Sequence, residues 1–194
     1  MKEYPKIHSV FKRDPQTHRF VEGDYSLPEL EYLKDNLWVF TEKIDGTNIR
    51  VIWDGDSVKF GGKTDNAQIP SFLLRKLEAS LRKETFTALY PDTPMCLYGE
   101  GYGAGIQKGG KYITGGVDFI LFDVLIEGWW LSRENVADIA GKLDINIVPT
   151  IGQGTLREAV ERARGGFKSS IADCEAEGLV MRPTIDLHTR KGER

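Results

Sequence analysis

The sequence lacks several features that would assign it to a broad class at once. It contains two cysteines in 194 residues, Cys96 and Cys174, which are too few for a disulfide framework or a cysteine-based metal site. No apolar run approaches the roughly 20 residues of a membrane span, and the polar N-terminus is unlike a secretory signal. We therefore expect a cytoplasmic protein with no membrane role.

The sequence also lacks an excess of charge of either sign. It has 26 lysines and arginines against 29 aspartates and glutamates, a net charge of −3. Nucleic-acid-binding faces are local, however, and basic residues cluster at Lys59–Lys63, Lys108–Lys111 and Arg190–Arg194. Charge alone leaves open whether these clusters bind a polyanion or form an ordinary solvated surface.

No repeat, low-complexity tract or linker interrupts the chain, and its length suits one domain. Segments rich in β-branched and aromatic residues predict strands. They are residues 37–43, 49–54, 95–100, 117–126 and 177–183. The turn sequence Asp54–Ser57 joins the two strands of a predicted hairpin that runs from Asn48 to Lys63.

Three segments predict helices. Apolar residues recur at helical spacing over residues 71–86. Ser132 is a suitable N-cap for a helix that ends at Leu143, and Thr155 with Glu158 forms a capping-box pattern. Because strands and helices do not alternate regularly, the pattern predicts an α+β fold with mostly antiparallel sheets rather than a doubly wound parallel sheet.

A glycine-rich segment after residue 99 suggests a phosphate-binding loop but does not fit one. Gly105–Lys111 matches G-x-x-x-x-G-K, yet Tyr112 stands where a serine or threonine would bind magnesium. The following "ITGG" cannot open the helix that such a loop requires, and "GYGAG" lacks the dinucleotide-binding spacing. The segment predicts a flexible loop in which Lys108 and Lys111 could meet a polyanion.

The strongest chemical signal is the stretch "FTEKIDGTN", in which Lys43 lies between Glu42 and Asp45. Two further carboxylates, Glu100 and Glu177, also stand at predicted strand ends. A lysine acts as a nucleophile only after it loses its proton, and neighbouring carboxylates oppose that loss unless a cation neutralises them. Hard oxygen ligands suit Mg²⁺ or Mn²⁺. The alternative is that each carboxylate is simply solvated, with Asp45 serving the turn.

These residues carry a resemblance to a known superfamily. "EKIDGTN" resembles motif I (K-x-D-G) of the covalent nucleotidyltransferases, which comprise DNA ligases, RNA ligases and mRNA capping enzymes. Further segments follow in the family's order: "KFGGKT", "LYGE" (motif III), "DFILFDV" (motif IIIa) and "EGLVMRP" (motif IV). "EKIDGTN" and "GYGAGIQK" are most similar to RNA ligases that seal nicks in duplex RNA. DNA ligases usually carry an arginine where this chain has Asn48.

The resemblance implies an ATP-grasp-like nucleotidyltransferase domain, residues 1–194, whose mostly antiparallel sheets flank a nucleotide cleft. It implies that Lys43 attacks the α-phosphate of ATP and forms lysyl-N-AMP with release of pyrophosphate. AMP would then pass to an RNA 5′-phosphate, and a 3′-hydroxyl would displace it to seal the strand. The implied partner is RNA with such ends, as in a nicked duplex, and no protein partner is implied.

The resemblance also implies roles for residues around the nucleotide. Glu42 would lie near the adenine through its backbone, and Phe122 would stack on the base. Glu100 would bind the ribose hydroxyls. Asn48 would contact the α-phosphate or the leaving group, and Lys63 takes the place of an arginine on the nucleotide. Phe122 as a core residue and Lys63 as a surface residue stay open as alternatives.

The remaining implied roles concern the metal and the phosphates. Glu177 would hold Mg²⁺ or Mn²⁺ directly or through its water shell, and Asp45 would hold the metal or shape the turn before Gly46. Arg50 and Arg182 are additional candidates for contacts with phosphates, although Arg182, next to Pro183, could equally be a surface residue.

The chain departs from the family's pattern at its C-terminal end. Motif V, two lysines spaced K-x-K, does not occur after Glu177, and Lys191 is the only late lysine. The sequence also shows no C-terminal RNA-binding domain. We therefore expect the chain to bind ATP but to adenylylate itself slowly or not at all unless it is extended. The alternatives are a nucleotide- or RNA-end-binding module that has lost catalysis, and a DNA ligase or capping-type enzyme.

Overall fold

The computed structural model describes residues 3–185, so the basic cluster Arg190–Arg194, including Lys191, lies outside the described residues. The described chain forms two compact units. The larger unit comprises residues 3–4, 43–149 and 168–177, and the smaller unit comprises residues 5–42, 150–167 and 178–185.

The described strands and helices follow in chain order. The strands are β1 (Phe11–Arg13), β2 (Phe20–Tyr25), β3 (Trp38–Lys43), β4 (Thr47–Trp53), β5 (Val58–Gly61), β6 (Met95–Gly103), β7 (Val117–Ile126), β8 (Trp129–Trp130), β9 (Asn146–Ile147), β10 (Thr150–Gly154) and β11 (Gly178–Pro183). The helices are α1 (Pro28–Tyr32), α2 (Ser71–Ser80), α3 (Lys83–Leu89), α4 (Arg133–Lys142) and α5 (Leu156–Gly165), and a short 3-10 helix spans Gly109–Lys111.

The larger unit is built on a six-stranded sheet. Its strands run in the order β5-β4-β6-β7-β8, and β9 pairs with β7 in parallel. The pairings along β5-β4-β6-β7-β8 are antiparallel. Both this arrangement and the mixture of helices with sheets confirm the predicted α+β class with mostly antiparallel sheets.

The two faces of this sheet have different roles. One face packs against α2, α3 and α4, and it buries alternate residues of β4, such as Ile49, Val51 and Trp53. Because side chains alternate along a strand, the residues between them point to the opposite face. That second face carries Asn48 and Arg50.

The helix predicted over residues 71–86 is wrong in its length, because α2 ends at Ser80 and α3 starts at Lys83. Leu81 leaves the helical conformation with φ −111° and ψ 74° and is buried. Leu77 and Phe86 are nine residues apart, which in one continuous helix would place them about 180° from each other. The break allows both side chains to enter the same core, where Phe86 stacks on Trp53 with ring centroids 5.6 Å apart.

The smaller unit contains a three-stranded sheet in the order β10-β3-β11 and a two-stranded sheet of β1 and β2. Its core joins Trp38 and Phe40 of β3 to Leu156 and Ala159 of α5. The predicted capping box is present, because Thr155 accepts a hydrogen bond from the Glu158 backbone and the Glu158 carboxylate accepts one from the Thr155 backbone. This core therefore holds residues 38–42 of β3 within the smaller unit.

Removing the capping box should destabilise the protein measurably. Thr155→Ala leaves the first turn of α5 without its side-chain acceptor, so we expect a loss of about 1 kcal/mol in the free energy of unfolding. Urea-induced unfolding measures the loss. Thr155→Ser keeps the hydroxyl and is the matched control, and equal stability of all three proteins would contradict the prediction.

No helix in residues 3–185 is long and apolar enough to cross a membrane.

Candidate active site

A glycine places the lysine of "EKIDGTN" beside a neighbouring strand. Lys43 ends β3, and Gly46 lies in the short connection to β4. A Cβ atom at Gly46 would overlap the carbonyl oxygen of Gly101 and would lie 2.9 Å from Cγ of Glu100. Only glycine allows this approach, so the K-x-D-G spacing brings the connection after Lys43 against β6.

Two predicted site residues, Asn48 and Glu100, lie opposite each other on adjacent strands of the larger unit's sheet. Asn48 of β4 is paired with Glu100 of β6, and Glu100 is paired in turn with Ile120 of β7. Directly opposed residues of antiparallel strands project to the same face. The register therefore brings Asn48 and Glu100 together. The motifs in the sequence could not show this proximity.

Lys43 is paired with a carboxylate. Its Nζ atom forms a hydrogen-bonded ion pair with Oε1 of Glu177, the residue before β11. The side chain of Lys43 is 50% exposed and that of Glu177 is 29% exposed, so the pair is open to water. The structure thus joins the predicted nucleophile to one predicted metal ligand.

Glu100 is the titrating group most altered by this environment. Burial raises the pKa of Glu100 from its ordinary value of 4.5 to about 8. The positive charge of Lys43 opposes this rise in the pKa, whereas the negative charges of Glu177 and Asp45 add to it. Glu100 therefore lies within the electrostatic reach of Lys43, Glu177 and Asp45.

Asn48 has an unmet hydrogen-bonding group. Its Oδ1 atom is buried and has no hydrogen-bond partner among the described residues. Buried polar atoms are nearly always satisfied in folded proteins, so an orphan beside Glu100 indicates a place for a ligand. A 180° rotation of the amide would present its NH₂ donors at the same place.

Phe122 lies on the second face of the sheet, where a β-bulge changes the alternation of β7. Tyr98 is paired with Asp123 and Gly99 with Leu121, which leaves Phe122 as the extra residue. Phe122 and Ile120 pack in the same cluster, as their spacing predicts. Phe122 is partly buried, so its ring takes part in the packing but is not enclosed by it.

The bulge places the buried Asp123 close to Phe122, and Tyr4 joins them. The Tyr4 ring lies edge-on to Phe122 with centroids 5.0 Å apart, and its hydroxyl donates a 2.9 Å hydrogen bond to Oδ2 of Asp123. Sequence reasoning missed Tyr4 and Asp123. An aromatic residue in a polar N-terminal segment was the only available signal for Tyr4.

The donor set for a divalent metal consists of carboxylates. Asp45 is partly buried, and its backbone N–H donates to the Tyr112 hydroxyl at 3.4 Å, a contact that the sequence did not indicate. Among residues 3–185, no three His, Cys, Asp or Glu side chains come close enough together to hold a metal ion. The donor chemistry of Asp45 and Glu177 still fits, because Mg²⁺ is commonly held by one or two carboxylates together with substrate phosphates.

The other candidate residues have distinct surroundings. Lys63 is exposed and follows the end of β5. Glu42 belongs to β3 in the smaller unit and is only 1% exposed. Arg50 is also 1% exposed, so the hypothesis that it meets a phosphate is wrong, because its guanidinium binds a neighbouring loop instead.

The glycine-rich segment, predicted as a flexible loop, contains a buried residue and a short helix. Ile106 is buried in the core of the larger unit, and the 3-10 helix follows it. Lys111 donates to the backbone oxygen of Glu175 at 2.9 Å, whereas Lys108 is exposed. Of the two lysines predicted to meet a polyanion, Lys111 already has a partner.

Comparisons with known proteins identify a family and a shared fold. The RNA ligase family model matches residues 36–194. Among solved structures, an apo variant of Naegleria gruberi RNA ligase is similar, with 20% sequence identity and a TM-score of 0.68. The matched region covers 93% of this chain and 54% of the ligase chain. Another variant of that ligase, with ATP and Mn, has the same sequence identity and TM-score. Here the matched region covers 94% of this chain and 58% of the ligase chain. Comparison with curated protein sequences gives no match.

The mostly antiparallel sheets have the fold of the solved RNA ligases named above. The chain belongs to the RNA ligase family, a family of enzymes. It spans little more than half of the length of the solved ligases named above.

Proposed function

We propose that this chain is the adenylylation domain of an ATP-dependent RNA ligase. Lys43 Nζ attacks the α-phosphate of ATP, the bond to pyrophosphate breaks, and a lysyl-N-AMP phosphoramide forms. AMP then passes to an RNA 5′-phosphate, and a 3′-hydroxyl displaces it to close the strand. The observation that supports this proposal most directly is the pairing of Lys43 with Glu177, within the electrostatic reach of Glu100, in a member of the RNA ligase family.

The side chains of the larger unit have chemistry suited to ATP. Asn48 and Lys63 offer an amide and a cation to the phosphates, and Glu100 offers a carboxylate to the ribose hydroxyls. Phe122 offers a ring to the adenine. Glu42 would lie near the adenine through its backbone, because its side chain is buried.

Asp45 and Glu177 would hold a divalent metal, Mg²⁺ or Mn²⁺. When bound there, the metal would neutralise negative charge at the transferring phosphate. Solved structures of Naegleria gruberi RNA ligase variants carry ATP or AMP with Mn, which supports this assignment. Lys43 must lose a proton before it attacks, and a cation held by Glu177 would remove the negative charge that now stabilises the protonated amine.

The proposed RNA partner is a nicked duplex with a 5′-phosphate and a 3′-hydroxyl, acted on in the cytoplasm and without a protein partner. Sealing assays on a nicked RNA duplex, a nicked DNA duplex and single-stranded RNA test this choice. We expect ATP-dependent sealing of the nicked RNA duplex above the other two. Equal sealing of nicked DNA would instead support a DNA ligase.

The covalent donor separates the remaining alternatives. We expect ATP, but neither GTP nor NAD, to leave a nucleotide on the protein, as measured by intact mass. An adduct from GTP would support a capping-type enzyme. Tight ATP binding without any adduct after long incubation would support a binding module that has lost catalysis.

Loss of the Phe122 ring should weaken ATP binding. Stacking of a base on an aromatic side chain contributes about 1–3 kcal/mol, so we expect Phe122→Leu to raise the Kd for ATP about 10-fold. Leucine keeps an apolar side chain against Tyr4, and Phe122→Tyr, which retains a ring, is the matched control. Titration of both variants with ATP measures the effect. An unchanged Kd in Phe122→Leu would return Phe122 to a purely structural role.

A further inference from the structure

Arg50 is a charged residue that lies buried between Ile49 and Val51 in the middle of β4. It is 1% exposed. Its Nε atom donates a 2.8 Å hydrogen bond to the backbone oxygen of Gly62, and its Nη2 atom donates one of 2.7 Å to Oδ1 of Asp65. Burying a charge is unfavourable unless it is well paired. The two contacts satisfy this requirement by attaching the guanidinium to the loop that follows β5.

The neighbouring backbone is shaped to accept this guanidinium. Gly61 is paired directly with Arg50, and a Cβ atom there would lie only 3.2 Å from Nη2. The Arg50 hydrogen bond also lowers the pKa of Asp65 below its ordinary value. Asp65 therefore remains an ionised partner at neutral pH, although its side chain is 79% exposed.

The two attachment points lie on either side of Lys63. Gly62 precedes Lys63 directly, and Asp65 follows it by two residues. Lys63 is exposed and makes no hydrogen bond or ion pair with another residue among 3–185. Gly61, the last residue of β5, is paired with Arg50, and Asn48 lies two residues before Arg50 on the same face of β4.

We propose that Arg50, together with Asp65, is a positioning residue that holds the backbone of Lys63 where its cation meets the phosphates of ATP. The planar guanidinium suits this task because its donors have fixed directions and bind two acceptors at once. A lysine side chain loses conformational entropy when it binds, and a backbone already held in place reduces the remaining entropic loss. This inference rests on the proposed function, because it requires ATP.

A double-mutant cycle with Lys63 tests the proposal. Asp65→Ala removes one attachment point from the surface without altering the buried arginine. We expect it to raise the Kd for ATP about 5-fold in the wild-type background and to have no further effect in Lys63→Ala, because coupled residues are non-additive. Asp56→Ala is the matched control, since Asp56 is equally a surface partner of a cation, Lys83, at 2.8 Å, and its loss should leave the Kd unchanged.

Amide hydrogen exchange supplies a readout that needs no ATP. We expect faster exchange at residues 61–65 in Asp65→Ala and in Arg50→Lys, which keeps the charge but loses the planar fork, and no change there in Asp56→Ala. Unchanged exchange in both variants would overturn the attachment itself.

The outcomes separate this inference from the proposed function. If the wild type binds ATP but Asp65→Ala has no effect, or has the same effect with and without Lys63, only the positioning role is overturned. If the wild-type chain does not bind ATP, the proposed function fails and this inference fails with it.

Discussion

Replacing Lys43 with arginine should abolish the covalent AMP adduct, with a loss in the rate of its formation of at least about 1,000-fold. Arginine preserves the positive charge and can still pair with Glu177, but its guanidinium does not lose its proton in proteins. The variant therefore removes the nucleophile without removing the cation. Lys43→Ala should have the same effect on the adduct.

Intact mass after incubation with ATP and Mg²⁺ or Mn²⁺ measures the adduct. The wild type should gain one AMP at most slowly, because the sequence predicts that the unextended chain adenylylates itself slowly or not at all. The incubation should therefore be followed over many hours. A gain of AMP in either Lys43 variant would contradict the assignment of the nucleophile.

A matched reaction isolates the role of Lys43 further. Sealing of an RNA nick whose 5′-phosphate already carries AMP does not consume the lysine. We therefore expect Lys43→Arg to seal this substrate at a rate similar to that of the wild type, although it fails with ATP and an ordinary nick. Failure on both substrates would mean that Lys43 also serves the sealing step.

Much of the fold and of the site could be predicted because local pattern and geometry agree. The hairpin around Asp54–Ser57, the strand from Val117 to Ile126 and the capping box of α5 all appear as the sequence predicts. Each is specified by neighbouring residues: a turn, a run of β-branched and aromatic residues, or a reciprocal pair of hydrogen bonds. The same holds for Lys43, because a short motif carries its local geometry.

Other features depend on contacts between distant residues and could not be predicted. Residues 71–86 have the helical period throughout, but Phe86 must reach Trp53 of another element, so the helix breaks at Leu81. The bulge at Phe122 shifts the register against β6, and it brings Asp123 to the second face. The residues that flank Phe122 in the sequence, Leu121 and Asp123, do not predict such a bulge.

Arg50 shows the same limitation in the site. An arginine seven residues after a nucleophilic lysine suggests a phosphate ligand, since arginine often binds phosphates. Its actual partners, Gly62 and Asp65, lie across the hairpin, and only the register with Gly61 shows that the side chain turns towards them. Motif spacing identifies candidate site residues, but it does not show which of them already have a partner within the fold.

Glu100→Gln should remove a decline in stability that the wild type shows as the pH rises. The folded state holds the pKa of Glu100 at about 8, mainly through burial, whereas in the unfolded chain it should lie near its ordinary value of 4.5. Between these two values the folded state binds more protons than the unfolded state, so the free energy of unfolding falls with increasing pH in this window.

The size of this effect can be bounded. At about 1.4 kcal/mol per pKa unit, the full difference would correspond to about 5 kcal/mol, and water around the partly exposed carboxylate reduces this to about 2 kcal/mol. We expect Glu100→Gln to be more stable than the wild type by about that amount at pH 9 and similar to it at pH 5. Thermal unfolding across this range measures the difference, and parallel pH profiles for the two proteins would contradict it.

The same carboxylate should couple ATP binding to proton release. Ribose hydroxyls that donate to Glu100, and a cation held by its neighbours Asp45 and Glu177, both favour the ionised form, so binding should lower the pKa of Glu100. We expect the wild type to release up to one proton on binding ATP with Mg²⁺ at pH 7, measured by calorimetry in buffers of different ionisation enthalpy. Glu100→Gln should release fewer protons and bind ATP at least about 10-fold more weakly. Equal proton release in the two proteins would mean that the nucleotide does not meet Glu100.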